Sequence, residues 1–236
     1  AIASFTATAS SNAFFENTNL FKVENASYNL VEVLPISLFS GPFFALVAIL
    51  FMISIRKITY FLNEKNFSSL NLILFGSITC GVVGIFFPQI LGLGTNTVSE
   101  MINNDITLKL LIIIFFLKIL MTSLCLGCGL FGGIFSPAIF VGTTAGSILG
   151  KILLFFGINA GISVLPFCGM AAVGGAIIGA PITAVLIILE ITNSYNFGLV
   201  TMASVAGCCL ITHLFFGHSF FDRQLIDRGI NIHLGR

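Results

Sequence analysis

Charged side chains are scarce in this sequence. Its 236 residues include ten basic and nine acidic side chains, or 8% charged, against the roughly 25% typical of soluble domains. Hydrophobic residues make up 57% of the chain, and its mean hydropathy is +1.09. A fold of 25.2 kDa still has a large surface that needs polar cover in water. The composition therefore argues against a soluble enzyme.

The scarcity is uneven along the chain. Residues 119–150, 152–189 and 191–221 contain no charged side chain, and only Lys151 and Glu190 separate these three stretches. Uncharged stretches of this length are typical of segments that lie in lipid or in packed membrane protein. We therefore expect a membrane protein with the lipid bilayer as its surroundings.

Features of other classes are also missing. The net charge is +1, without the concentrated basic face that a nucleic-acid-binding protein needs. Hydrolase, metalloprotease and phosphate-loop signatures do not occur, so we predict neither an enzyme nor a cofactor or metal site. The six cysteines lie in apolar stretches, where a thiol can pack as a small hydrophobic group. Cys125-x-x-Cys128 has no second pair or histidine cluster beside it, which argues against a metal or redox role.

Apolar blocks recur at a length that suits membrane helices. They do not alternate apolar and polar residues as the strands of a membrane barrel would. We predict an all-α, polytopic membrane protein whose helices occupy residues 33–55, 70–93, 108–130, 134–157, 162–190 and 197–216.

Basic residues between the blocks predict the orientation. Arg56, Lys57 and Lys65 lie in one connection, and three arginines follow the last block, so both segments are expected in the cytoplasm. The acidic segment 12–32 is then external. This gives an N-terminal region 1–69 with a cytoplasmic connection at 56–69, a membrane region 70–221 and a cytoplasmic tail 222–236. The expected location is a bacterial inner membrane.

One apolar block is interrupted by glycines. The pair Gly132 and Gly133 precedes Ile134, Phe135 and Pro137 without any charge. Pro137 is predicted as the first residue of a helix, because its missing N–H is one of the four left unpaired at any helix start. Free N–H groups there, with the helix dipole behind them, form an anion site without a cation. The alternative, about equally favoured by these residues alone, is a Gly-Pro kink that only aids packing.

Other features accompany this break. Residues 174–181 repeat its pattern, with Pro181 as the predicted first helical residue, and 81–94 form a third, less specific break. Lys118 is interpreted as a buried partner or a snorkelling side chain, and Glu190 as a structural residue near a helix end. The glycines at 142, 146 and 150 form a stripe expected to allow close helix packing.

These motifs together resemble the CLC family of chloride channels and chloride/proton antiporters. Gly132-Gly-Ile-Phe-Ser-Pro137 is similar to the family's G-x-F-x-P signature, and Ala180-Pro-Ile-Thr with Glu190-Ile-Thr192 resembles its A-P-L-T…E-x-T helix. Lys118 and the segment 84–94 fit other family positions. The motifs follow the family's order through residues 70–230. The resemblance implies a CLC-type fold with broken and re-entrant helices, of which this chain is the second inverted repeat.

The resemblance also implies a role for each site residue. The backbone N–H groups of Ile134 and Phe135, after Gly133, would bind the transported chloride, while Gly132, Pro137, Pro181, Glu190 and Lys118 would be structural. The family places a tyrosine hydroxyl on the anion, in a stretch matched here by Ser219-Phe-Phe221-Asp222. Phe221 thus replaces the tyrosine, and a phenyl ring cannot donate that hydrogen bond.

The family's serine and gating-glutamate motifs do not occur in this sequence. The resemblance therefore implies a missing N-terminal half of the same subunit, and a homodimer that meets its partner through helices near 181–192 and 197–216. Channel and antiporter remain open. So do two other classes: a secondary transporter of another solute, and a non-conducting membrane half-protein.

Overall fold

The computed structural model describes residues 30–64, 68–159, 161–217 and 219–227, together with four isolated positions before residue 11. Its elements are all helical over these ranges. They are α1 (Leu30–Glu64), α2 (Ser69–Phe86), α3 (Thr95–Ile102), α4 (Leu108–Gly127), α5 (Phe135–Phe155), α6 (Leu165–Ile178), α7 (Pro181–Thr192), α8 (Tyr195–Phe216) and α9 (Phe220–Asp227), with a 3-10 turn at Pro88–Ile90. The all-α prediction is confirmed.

Five described stretches are long and apolar enough to cross a bilayer. Their mean hydropathies lie between 1.7 and 2.5, and they include α1, α2, α4, α5 and most of the segment from α8 into α9. The apolar helices α6 and α7 are shorter, with 14 and 12 residues. Short helices flanked by glycine breaks are the expected form of a membrane protein with interrupted helices.

Helix α1 is longer than its apolar block. The sequence predicts that the block ends at residue 55, whereas the helix continues to Glu64 and includes Arg56 and Lys57. A helix of 35 residues is about 52 Å long, and hydrocarbon is about 30 Å thick. Part of α1 can therefore extend into water, and the basic side chains lie on helix rather than in a loop. Residues 65–67, the remainder of that connection, lie outside the described residues, as do 228–236 of the tail.

The core is centred on α6. Nearly every side chain from Leu165 to Ile177 is buried, because α1, α5, α7 and α8 all pack around this helix. The closest pairing is with α5, along the glycine stripe. A Cβ at Gly142 would overlap the carbonyl oxygen of Gly169, and one at Gly146 would overlap that of Leu165. The predicted packing role of the stripe is confirmed, and it holds the front of α5 against the most buried helix.

Candidate functional site

The loop that leads to α5 begins with an ordinary helix end. Gly129 has a left-handed φ of +81°, and the amide of Leu130 donates to the carbonyl of Cys125 at 3.0 Å. A left-handed glycine followed by such a back-bond satisfies the last carbonyls of a helix. Helix α4 is thus closed by its own backbone, and the chain leaves it in a fixed direction.

The glycine pair that follows lies in the open. Among the described residues, nothing comes within 4 Å of a Cβ placed at Gly133, and only Leu126 approaches one at Gly132, at 3.9 Å. The neighbouring Phe131 is fully exposed. No side chain of the described residues therefore covers the approach to the start of α5.

The start of α5 leaves amides free. The first helical hydrogen bond runs from the amide of Ala138 to the carbonyl of Ile134 at 3.0 Å. The amides of Ile134, Phe135 and Ser136 precede it, and they have no hydrogen-bond acceptor within the described ranges. Free amides at the N-terminus of a 21-residue helix carry the positive end of its dipole. The arrangement can accept an anion.

Pro137 is not the first residue of this helix. The helix begins at Phe135, so Pro137 is its third residue. The prediction was wrong by two positions because proline fits anywhere in a first turn, where its absent N–H has no intrahelical acceptor to lose. Pro181, by contrast, is the first residue of α7, as predicted.

The second break is closed more tightly than the first. Gly179 has a φ of +79°, and the amides of Gly179 and Ala180 both donate to the carbonyl of Gly175, at 2.9 and 3.1 Å. A Cβ at Gly179 would lie 2.8 Å from the Cβ of Ser219. This break therefore brings α6, α7 and the start of α9 together, beside a cavity of about 240 Å³ that Gly175, Gly179 and Ser219 help to line.

Lys118 fills the third break. Its buried ammonium donates to the carbonyls of Ile90 at 2.7 Å and Gly92 at 3.0 Å, and it lies 4.6 Å from the centre of the Phe140 ring. The carbonyls belong to the unwound segment between α2 and α3, which lacks helical partners for them. The interpretation of Lys118 as a buried partner is confirmed. The sequence did not indicate which carbonyls it would bind.

Phe221 and Glu190 lie on other helices, α9 and α7. Phe221 is in the first turn of α9, is 45% exposed, and packs edge to face on the buried Phe220 at 5.8 Å. Glu190 is exposed at the end of α7, as the helix-end interpretation predicts, and it has no ion pair within the described part of the chain.

Comparison with known proteins gives a consistent family. A family model described as "Voltage gated chloride channel" matches residues 1–213. The H(+)/Cl(-) exchange transporter ClcA of Vibrio campbellii is 29% identical over 195 residues, which cover 80% of this chain and 41% of the relative. The ClcA of Vibrio parahaemolyticus is 28% identical over 84% of this chain and 44% of its own length. The chain thus spans less than half the length of these curated relatives.

Two solved structures share the fold. A slow cyanobacterial Cl-/H+ antiporter matches with a TM-score of 0.77 and 22% identity, over 92% of this chain and 52% of the other. A CLC-type fluoride/proton antiporter matches with a TM-score of 0.73 and 20% identity, over 90% of this chain and 52% of the other. Identity this low supports the architecture alone. The match confirms the prediction of broken apolar helices in a CLC-type fold.

Proposed function

Because the chain belongs to the voltage gated chloride channel (CLC) family, we propose that it transports chloride across a membrane as part of a CLC-type channel or chloride/proton antiporter. The family consists of transporters and channels rather than enzymes. The two ClcA relatives carry chloride/proton exchange in their names, which favours the antiporter. Since the chain covers less than half of those relatives, the activity is proposed for the whole protein that contains it.

The observation that carries the proposal is the uncovered start of α5. The amides of Ile134 and Phe135 have no acceptor among the described residues, and Gly133 leaves room for an ion beside them. Backbone amides at a helix N-terminus bind anions through partial charges rather than a full cation. Such binding is favourable yet weak, which conduction requires. Gly132 and Pro137 shape the approach, and no cofactor is needed.

The rest of the site is proposed to come from other parts of the assembly. The N-terminal half of the same subunit would cover the open face at residues 131–133 and supply the gate. A homodimer would bury apolar side chains that α7 and α8 now expose, such as Ile182, Leu186 and Met202. The protein would lie in a bacterial inner membrane with its C-terminus in the cytoplasm, as the basic residues after α8 predict.

The experiment compares two substitutions at one position. Phe135→Pro removes the proposed N–H ligand. Proline is accepted at the first helical position but disfavours the αR backbone of Ile134, so the unfolding temperature of the variant is measured together with its flux. Phe135→Ala removes the ring but keeps the N–H. In liposomes that contain the complete protein, we expect Phe135→Pro to lose most chloride flux and Phe135→Ala to retain it.

A matched glycine pair controls for general damage. At both Gly133 and Gly81, a Cβ would have no described atom within 4 Å, and neither glycine has a left-handed φ. Gly133→Leu should block flux, whereas Gly81→Leu should not. Flux that survives both Phe135→Pro and Gly133→Leu would contradict the anion-site assignment. Solute uptake indifferent to chloride would favour the alternative of another secondary transporter.

A further inference from the structure

Helix α1 is weakened in one segment of its apolar part. Pro42 has no N–H, so the carbonyl of Leu38 loses the amide partner that an unbroken helix would give it. The hydroxyls of Ser37 and Ser40 each donate to a carbonyl three residues earlier, at 2.8 and 2.6 Å. Such bonds from serine to its own helix often bend the helix, and kinks occur at prolines. Segment 37–42 therefore combines several features that make a helix easier to bend.

The same segment is hydrogen-bonded to α8. The hydroxyl of Ser204 donates to the carbonyl of Ser37 at 2.6 Å, and it lies 3.0 Å from the hydroxyl of Ser40. All three serines are buried. Serine hydroxyls are typical of the hydrogen bonds that join membrane helices, where apolar contact alone gives little preference for one neighbour. These bonds therefore hold this segment of α1 to α8.

Two glycines bring the backbones of α1 and α8 together beside the serines. A Cβ at Gly41 would lie 3.0 Å from the Cα of Gly207 on α8. A Cβ at Gly207 would lie 3.4 Å from the carbonyl oxygen of Leu38, the group that loses its helical amide because of Pro42. This carbonyl therefore faces α8 rather than lipid, as unpaired backbone at membrane depth requires.

The remainder of α1 contacts other helices. Phe44 is fully buried, and a Cβ at Gly169 of α6 would lie 3.0 Å from its ring. Closer to the end of α1, a Cβ at Gly127, the last residue of α4, would lie 3.1 Å from the side chains of Ile58 and Leu62. The weakened segment is thus bonded to α8, and the contacts with α6 and α4 lie after it.

We propose that segment 37–42 is a hinge, at which α1 bends so that its first part moves with α8 while the remainder stays on α4 and α6. A hinge needs a few residues that absorb a change in backbone dihedrals, and a missing helical hydrogen bond makes that change easier. The hinge itself does not depend on transport. Its consequence rests on the proposed function: α9 and Phe221 follow α8 in the chain, so bending would move Phe221 relative to the proposed anion site.

The test measures distances along α1 with pairs of nitroxide labels. Labelled aromatic amino acids replace Phe39 and Tyr60, whose side chains are 80% and 67% exposed and which lie on either side of Pro42. A straight helix places these two positions about 32 Å apart. The control pair, Leu46 and Tyr60, lies entirely after the hinge. Double electron–electron resonance is recorded on the complete protein in lipid bilayers, diluted with unlabelled protein.

We expect the distance distribution across the hinge to be about twice as wide as that of the control pair. Pro42→Ala restores an amide donor for the carbonyl of Leu38 and should narrow the wide distribution to the control width. Ser204→Ala, which releases the first part of α1 from α8, should widen it further. Ser54→Ala is the matched control, because the Ser54 hydroxyl donates within α1 at 2.7 Å, and it should change neither distribution.

Equal widths for the two label pairs would overturn the hinge, as would a distribution that Pro42→Ala leaves unchanged. If circular dichroism shows that Pro42→Ala loses helix, Ser204→Ala decides, and an unchanged width in that variant overturns the hinge. Chloride flux in liposomes tests the consequence: Pro42→Ala should slow it severalfold and Ser54→Ala should not. Unchanged flux with a narrowed distribution would overturn that consequence alone. Because label distances do not require transport, failure of the hinge is distinguishable from failure of the proposed function.

Discussion

Two glycine-rich breaks in this membrane protein, one between α2 and α3 and one before α5, differ in whether their unpaired backbone groups have a hydrogen-bond partner. Between α2 and α3 the unwound chain presents carbonyls, and the ammonium of Lys118 binds two of them. Before α5 the unwound chain presents amides, and no described side chain accepts from them. A break that has a built-in partner is structural, whereas a break without a partner in the described chain is suited to a mobile ion. The first break needs a donor for its carbonyls and has one in Lys118, whereas the second needs an acceptor for its amides and has none among the described residues.

The largest expected effect is the loss of stability when the Lys118 ammonium is removed from the break between α2 and α3. Lys118→Met keeps the length of the side chain but leaves the carbonyls of Ile90 and Gly92 without their donor in a buried site. We expect a loss of about 3 kcal/mol in the free energy of unfolding. Hydrogen bonds from a charged donor are strong, and a buried carbonyl left without a donor is destabilising. Thermal unfolding in detergent, followed by circular dichroism, measures it.

The control for this substitution lies on the same helix. Lys109 is exposed near the start of α4, so Lys109→Met should leave the unfolding temperature nearly unchanged. Equal losses from both variants would mean that Lys118 acts through general charge and not through the carbonyls.

A smaller effect is expected when a glycine of each break is replaced by alanine and the losses of stability are compared. Gly94 has a φ of +67°, and a Cβ there would lie 2.6 Å from the Phe140 ring. Gly94→Ala should cost about 2 kcal/mol of stability, through left-handed strain and overlap with the ring. Gly133→Ala meets open space at ordinary φ and should cost about 0.5 kcal/mol or less. Calorimetry of both variants checks the difference, and similar losses would remove the contrast between the breaks.

The smallest expected effect is a gain in chloride affinity at the break before α5. If α9 reaches the anion in the complete protein, Phe221→Tyr supplies the hydroxyl donor that the family places there. We expect chloride to bind more tightly by about 1 kcal/mol, or roughly fivefold, as one hydrogen bond contributes. Isothermal titration of the complete protein measures the affinity, with Phe215→Tyr on α8 as the matched exposed control. An unchanged affinity in Phe221→Tyr would place that residue away from the anion.

The sequence predicted correctly those features that depend on neighbouring residues alone, such as a helix start or a stripe of glycines along one helix face. Pro181 marks the start of α7 because proline is favoured in the first turn of a helix, although α1 also contains Pro35 and Pro42. The stripe at 142, 146 and 150 predicts close packing from helical periodicity alone. The same local rule could not place the start of α5 to better than a turn, because Pro137 fits several first-turn positions. The family itself followed from motifs in order.

Long-range placement could not be derived from the sequence. The carbonyls that Lys118 binds depend on how α4 lies against the segment that follows α2. Hydropathy does not predict which helices pack together, because an apolar helix face has a similar free energy against lipid and against protein.

The contact of α5 with α6 limits how the proposed anion site can move. At Gly142 and Gly169 the two backbones touch, and a rotation of α5 about its axis would bring the side chains of Val141 or Thr143 into a space that fits only hydrogen. Rotation of α5 alone is therefore sterically blocked while α6 stays in place. If these amides bind the anion as proposed, a gate that displaces them must displace α6 as well. A gate elsewhere could open while the amides stay in place.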